Sequence, residues 1–404
     1  MLRPYATLAP ARAMLWFTFI ESLATILLER GVYFYTHDIL RLGERDNLLL
    51  ATAFGVAYVV GALASHAAAL RLGERRLLLS AQAALFALHV GVAFFPDAAT
   101  LAVCFPLIGL LQGLKWPVVE SFVSAGHRPA ELAVVLGRFN VTWASAVPVA
   151  LIVSGPLIAS GAQSSLFVAA AAGNVLGFGL AALQPAVPEH LDDAHPERPT
   201  EGEVLRFGAL LAAARWSMLL SYALLFLLAP LLPQVLDHLA LGVSAATQVA
   251  AMLDVARVAT FWALGRFLGW RGRALPIVIS IAALPLSFVL ILFGGNVAAI
   301  VLGELAFGVC SGLLYTAALY YAQLVKNASV EAGGAHEGLI GVGFALGPLL
   351  GLVAELLERS AGSRPLSVLL SLGPVCAVLS MLALSSLRAR RPPSRTSATR
   401  GARP

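Results

Sequence analysis

The sequence predicts an all-α membrane protein of twelve transmembrane helices arranged as two six-helix bundles. Three observations predict it: too little charge for a water-facing surface, apolar runs of spanning length along the whole chain, and a lopsided arginine distribution. Of 404 residues, 59% are hydrophobic and 12% charged, about half the charge of a soluble domain. Such a chain needs lipid as its solvent. One crossing takes roughly 20 apolar residues, so with turns the length holds about twelve. The runs are continuous rather than alternating at period two, which excludes a membrane β-barrel.

The first predicted span, 13–36, follows Arg12. Glu21, Glu29 and Arg30 interrupt it, and it runs too long for a signal peptide. Spans 47–70, 76–95, 99–124, 132–158 and 164–183 complete the first half. Residues 184–206 are acidic and Pro-rich without apolar periodicity, and read as a solvated linker. The second half holds 207–232, 243–268, 274–293, 297–325, 333–357 and 366–387. The expected domains are therefore 1–183, the linker 184–206, 207–387, and a basic tail 388–404.

Arginine placement orients this map. With both termini in the cytoplasm, eighteen of the 27 Lys and Arg fall on the inner side, among them Arg3, Arg71, Arg75, Arg76, Arg128, Arg198, Arg273, Lys326 and six tail arginines. Only Arg41, Arg45, Arg359 and Arg364 fall outside, as the positive-inside rule requires. The halves also repeat. Gly73, flanked by arginines, has a counterpart 196 residues on at Gly269, and Pro148 has one 200 residues on at Pro348. A common offset near half the chain marks a duplicated unit. The arginine bias points to a bacterial inner membrane.

The layout resembles the major facilitator superfamily. Gly61, Leu63 and Ala64 match the start of its loop 2–3 signature, Ser65 and His66 stand in place of its Asp-Arg, and Gly73-Glu74-Arg75-Arg76 follows a few residues late. The resemblance implies that helices 1, 4, 7 and 10 line a central cavity. A partial resemblance to proton-coupled oligopeptide transporters rests on Glu29-Arg30 with Tyr33 and Tyr35, Lys115-Trp116-Pro117, and Glu304. Ile26 stands where that family has its first Glu, and the tyrosines are spaced differently.

Charges inside a bilayer face a cavity or a partner. At about 100° per residue, Thr18, Ser22, Thr25, Glu29 and Tyr33 share one arc of span 1, with Arg30 at its border. Glu304, Gly308, Ser311 and Tyr315 form a second polar stripe on span 10. The predicted solute-binding residues are Glu29, Arg30, Tyr33, Lys115, Arg138, Arg215, Ser311 and Tyr315, since Arg and Lys suit an anionic group. Burial favours a neutral carboxyl and an adjacent cation favours the charged one, which makes Glu29 and Glu304 the predicted proton carriers. Asp254 and Arg257, at i and i+3, read as a structural ion pair. Glu120 reads as a helix-end group. The glycines of span 11 read as close packing.

No cofactor or metal is expected. His336-Glu337 opens a zincin-like pattern, but position 340 is Ile. His190 and His195 read as linker residues. Cys104, Cys310 and Cys376 read as buried thiols. No ATP-binding loop or hydrolytic cluster is evident, and a net charge of +5, much of it in the tail, is not a nucleic-acid signature. The expectation is a monomeric secondary transporter working with protons, lipid and a small anionic or zwitterionic solute. Drug efflux and a non-transporting sensor are the alternatives.

Overall fold

The computed structural model describes residues 8–127, 129–161, 164–188, 201–325 and 330–388. Among them the chain is helical, with no strand. The first half comprises α1 (Leu8–Glu29), α2 (Gly31–Asp38), α3 (Glu44–Leu72), α4 (Glu74–Phe94), α5 (Ala98–Ser124), α6 (Pro129–Ala159) and α7 (Ser164–Ala182). The second comprises α8 (Glu201–Asp237), α9 (Val243–Ala250), α10 (Met252–Arg266), α11 (Leu275–Phe293), α12 (Val297–Val325), α13 (Val330–Ala361) and α14 (Arg364–Arg388). Ten of these helices are individually long and apolar enough to cross a membrane. The other two spans are the pairs α1/α2, broken at Arg30, and α9/α10, broken at Ala251.

Predicted boundaries differ from the helices by a few residues, with one larger departure. Span 7 begins at Glu201, inside the stretch read as linker. His190, His195, Arg198, Lys326, Arg3, Arg128 and the tail beyond Arg388 lie outside the described residues. A one-residue turn at Gly73 (φ 82°) joins α3 to α4, a conformation glycine adopts freely. At the corresponding turn of the second half the left-handed glycine is Gly272 (φ 70°), while Gly269 sits in a short 3-10 turn. The repeat therefore pairs Gly73 with Gly272, close to the proline offset.

The helix contacts repeat with an offset of six spans. In the first half α1 packs on α6 and α7, α3 on α5, and α4 on α5 and α7. In the second half α8 packs on α13 and α14, α10 on α12, and α11 on α12 and α14. Two symmetric seams join the halves: α3 against α13, and α6 against α9 and α10. Below, the "terminal side" is the one on which the first and last spans begin and end.

Small residues permit these seams, because helices in lipid associate through close packing. A Cβ added at Gly137 of α6 would lie 2.7 Å from the Cα of Gly265 in α10. The span 11 glycines serve two neighbours. Gly341 faces Tyr58 and Val59 of α3, and Gly347 lies against the main chain of Ala223 in α8. Gly347→Val is therefore expected to destabilise the protein by about 1–3 kcal/mol through overpacking. A melting temperature equal to that of the wild type would contradict this packing. The Gly137–Gly265 crossing offers a second prediction. It leaves no room for a side chain, so Gly137→Val should wedge the halves apart on the terminal side and slow transport; an unchanged uptake rate would contradict the contact.

Candidate functional site

Between the halves lies a cavity of about 90 Å³. Its walls come from both bundles: Ser22, Thr25, Glu29 and Arg30 of the first span, Trp143 of α6, Tyr222 of α8, Asp254 and Arg257 of α10, Tyr315 of α12, and Glu337 and Phe344 of α13. Helix contacts flank it on both sides. On the terminal side Gly137 abuts Gly265 and Gly333 abuts Pro117. On the far side Arg364 pairs with Glu44 and Gly155 abuts Thr247. A second recess of about 220 Å³, lined by His37, Asp38, Arg41 and Asp237, opens on the far side.

Both helix breaks serve this cavity. Arg30 occupies the break in span 1, and Asp254 lies in the first turn of α10, just past the break in span 8. Arg30 Nη1 donates to Asp254 Oδ2 at 3.1 Å, joining the halves. Interrupted helices at the midplane are a recurrent way to present polar groups in a membrane. The predicted Asp254–Arg257 pair is present at 3.6 Å, but Asp254 also serves Arg30, and both members of the pair face the cavity.

Arg257 holds a distinctive position. Its guanidinium lies 4.8 Å from the centre of the Trp143 ring, 5.4 Å from Tyr222, and 5.7 Å from Phe261 and Tyr315. Nη2 donates to the Tyr222 hydroxyl at 2.5 Å, while Nε has no hydrogen-bonded partner among the described residues. Such an arginine is held in place by cation–π contacts and keeps donor capacity in hand. Phe226 and Phe344 extend the aromatic wall at 3.6 Å between ring centres.

The other predicted residues are distributed differently. Lys115 is fully buried and donates to Glu21 at 2.5 Å, away from the cavity lining. Asn174 donates to Glu21 and Gln82, and His89 is hydrogen-bonded to Asn174, giving a closed polar network within the first bundle. Tyr33, beyond the break, packs edge-on against Phe105 at 6.2 Å. Ser311 bonds its own helix at Gly308. Arg138 is exposed and Arg215 half-buried, and neither lines the cavity. Glu304 is fully buried beside the Arg30–Asp254 pair, with the Leu253 main chain as its hydrogen-bond neighbour and no side-chain partner among the described residues. Glu120 is buried near Glu337 rather than at a solvated helix end.

Sequence reasoning missed Trp143 and Tyr222, which carry no in-membrane charge to mark them. It also took the cavity charges to lie on spans 1, 4, 7 and 10. They come instead from spans 1, 8 and 11, while spans 4, 7 and 10 supply aromatic and apolar surface.

The profile of the Major Facilitator Superfamily matches residues 11–348. No curated protein sequence matches the chain. Among solved structures, that of a point mutant of the nucleoside transporter NupG superposes with a TM-score of 0.65 at 14% identity, covering 93% of this chain and 99% of that one. The human organic anion transporter MFSD10 (TETRAN) superposes with a TM-score of 0.62 at 14% identity, covering 92% and 98%. The residues matched by the profile, together with twelve spans in two matching halves, establish that this chain belongs to the major facilitator superfamily.

Proposed function

We propose that the protein is a secondary transporter that moves a small organic anion or zwitterion by alternating access, coupled to protons. The observation that carries this reading is Arg257: a cavity-facing guanidinium between the two halves, fixed by aromatic rings and with an Nε that has no hydrogen-bonded partner among the described residues. A carboxylate or phosphate suits its planar fork. The aromatic wall suits a flat apolar body on the same solute. A zwitterion's ammonium would meet Glu29.

Proton coupling follows from the same inventory. The cavity carries Glu29, Asp254 and Glu337 against Arg30 and Arg257. A solute anion entering among three carboxyls is repelled by each that is ionised, and every proton taken up removes one repulsion. Proton and anion therefore favour each other's binding, and the coupling is reciprocal. Glu304, buried beside the Arg30–Asp254 pair with no side-chain partner among the described residues, is the second proton carrier in this reading. Loss of its proton would draw Arg30 from Asp254 and loosen the link between the halves.

In this reading the first bundle ends at 183 and the second begins with α8 at Glu201, with the terminal side in the cytoplasm of a bacterial inner membrane. The two solved structures are those of a nucleoside transporter and an organic anion transporter, and at 14% identity the likeness is one of fold; the choice of an anion rests on Arg257. Drug efflux by proton antiport is the second reading, and the aromatic wall favours it. Purified protein in liposomes, offered labelled aromatic carboxylates under an imposed pH gradient, tests both. Accumulation with acid outside supports symport, and accumulation against that direction supports efflux. Transport indifferent to the gradient would refute coupling. Glu304→Gln is expected to abolish gradient-driven uptake while leaving solute exchange intact; undiminished driven uptake would remove Glu304 from the coupling.

A further inference from the structure

We propose that Glu120, His336 and Glu337 form a binding site for one divalent first-row metal cation, bridging the two halves on the terminal side of the cavity. Glu120 comes from α5 of the first bundle, and His336 and Glu337 from α13 of the second. One ligand atom of each lies within 4.8 Å of the others, and all three side chains are buried. His336 is 0% exposed, and among the described residues neither its ring nitrogens nor Oε1 of Glu120 have a hydrogen-bonded partner. A buried imidazole without partners is costly in a membrane interior, and it is the feature here that asks for a ligand.

The donor set is one imidazole nitrogen and carboxylate oxygens, which suits Mn²⁺, Fe²⁺ or Zn²⁺ better than a soft ion. Among the described residues, no Lys or Arg is hydrogen-bonded to either carboxyl, and Arg215 of α8 is the cation that acts on His336. The Glu120 and Glu337 carboxyls hydrogen-bond to each other, which takes a proton held between them, and a divalent ion would take that proton's place and bind both carboxylates. A supporting shell is present. The Tyr58 hydroxyl donates to Glu337, and the Gln323 amide donates to Glu120 at 3.5 Å. Such partners orient metal-binding groups. Glu337 and Tyr58 also line the central cavity, which gives the ion an entry path. Because the ligands come from both bundles, the bound ion clamps the terminal side closed.

The test titrates tag-free, detergent-purified full-length protein with Mn²⁺, followed by the free ion's paramagnetic resonance signal. Expected is one site per chain, displaced by Zn²⁺ and weakened at least about tenfold in Glu120→Gln and in His336→Gln. His190→Ala with His195→Ala should leave that site unchanged. Each variant's melting temperature without metal reports its folding, so failure of one variant to fold leaves the other decisive. Absence of a single site, retention in both E120Q and H336Q, or loss with the linker histidines would overturn the assignment. The clamp has its own readout: Mn²⁺ should slow thiol labelling of Val147→Cys from the terminal side, and binding without slowing would overturn that role.

Discussion

Lys115→Met is expected to destabilise the protein more than any other single change, by about 3–5 kcal/mol. Lys115 and Glu21 are both fully buried and meet at 2.5 Å within the first bundle. Removing the ammonium leaves the Glu21 carboxylate with only the Asn174 amide for support, an uncompensated charge in a dry interior. Deleting both charges removes the problem, because a buried pair replaced by apolar groups of similar volume is often neutral. Lys115→Met with Glu21→Met should therefore recover most of the loss. Thermal melting in detergent measures both proteins. A double variant as unstable as the single one would show that the pair does not act as a closed unit. The result also separates Lys115 from solute binding: solute affinity in the double variant should stay near that of the wild type.

Arg257→Gln carries the second large effect, on binding instead of folding. The fold should stand because Asp254 retains Arg30 as a partner at 3.1 Å, so no orphan charge is created. The solute loses its charged contact, which costs about 30-fold or more in affinity, the equivalent of ~2 kcal/mol. Arg257→Lys should fall between the two. It keeps a positive charge and loses the planar fork and its stacking on Trp143. Isothermal titration with a transported anion, once uptake has identified one, gives the ranking wild type, Lys, Gln. Equal affinities for Lys and Gln would mean that charge at position 257 is irrelevant to binding.

The fold was legible because the bilayer allows so few solutions. Continuous apolar runs and the placement of Arg71, Arg75, Arg76, Arg271 and Arg273 fix where the chain turns. The two breaks were not legible. Arg30 and Ala251 hold ordinary right-handed backbone angles (φ −113° and −77°), and no proline marks either one. The break at Arg30 explains why the polar arc of span 1 divides. Ser22, Thr25 and Glu29 line the cavity, while Tyr33, past the break, turns toward Phe105.

Pairing across the chain was the other gap. The i, i+3 relation of Asp254 and Arg257 can be read from spacing. The Arg30–Asp254 and Lys115–Glu21 partners stand 224 and 94 residues apart, and no local pattern carries that information. His336-Glu337 shows the same limit, since its third neighbour, Glu120, belongs to the other half. Asn174, which completes the Glu21 network, had a faint signal as a lone amide in the apolar stretch of α7. Trp143 and Tyr222 had none, because aromatic residues in membrane helices are as often packing groups as binding groups.

The central claim is that water and solute reach Arg257 from each side of the membrane in turn. The direct measurement is thiol labelling of Val147→Cys, a cavity-lining position, in a background lacking Cys104, Cys310 and Cys376, with a membrane-impermeant maleimide applied to one face at a time. Labelling is expected from both faces, with protection by transported solute and faster terminal-face labelling in Gly137→Val, whose side chain has no room at that crossing. Labelling from neither face, or from one face only, would contradict alternating access.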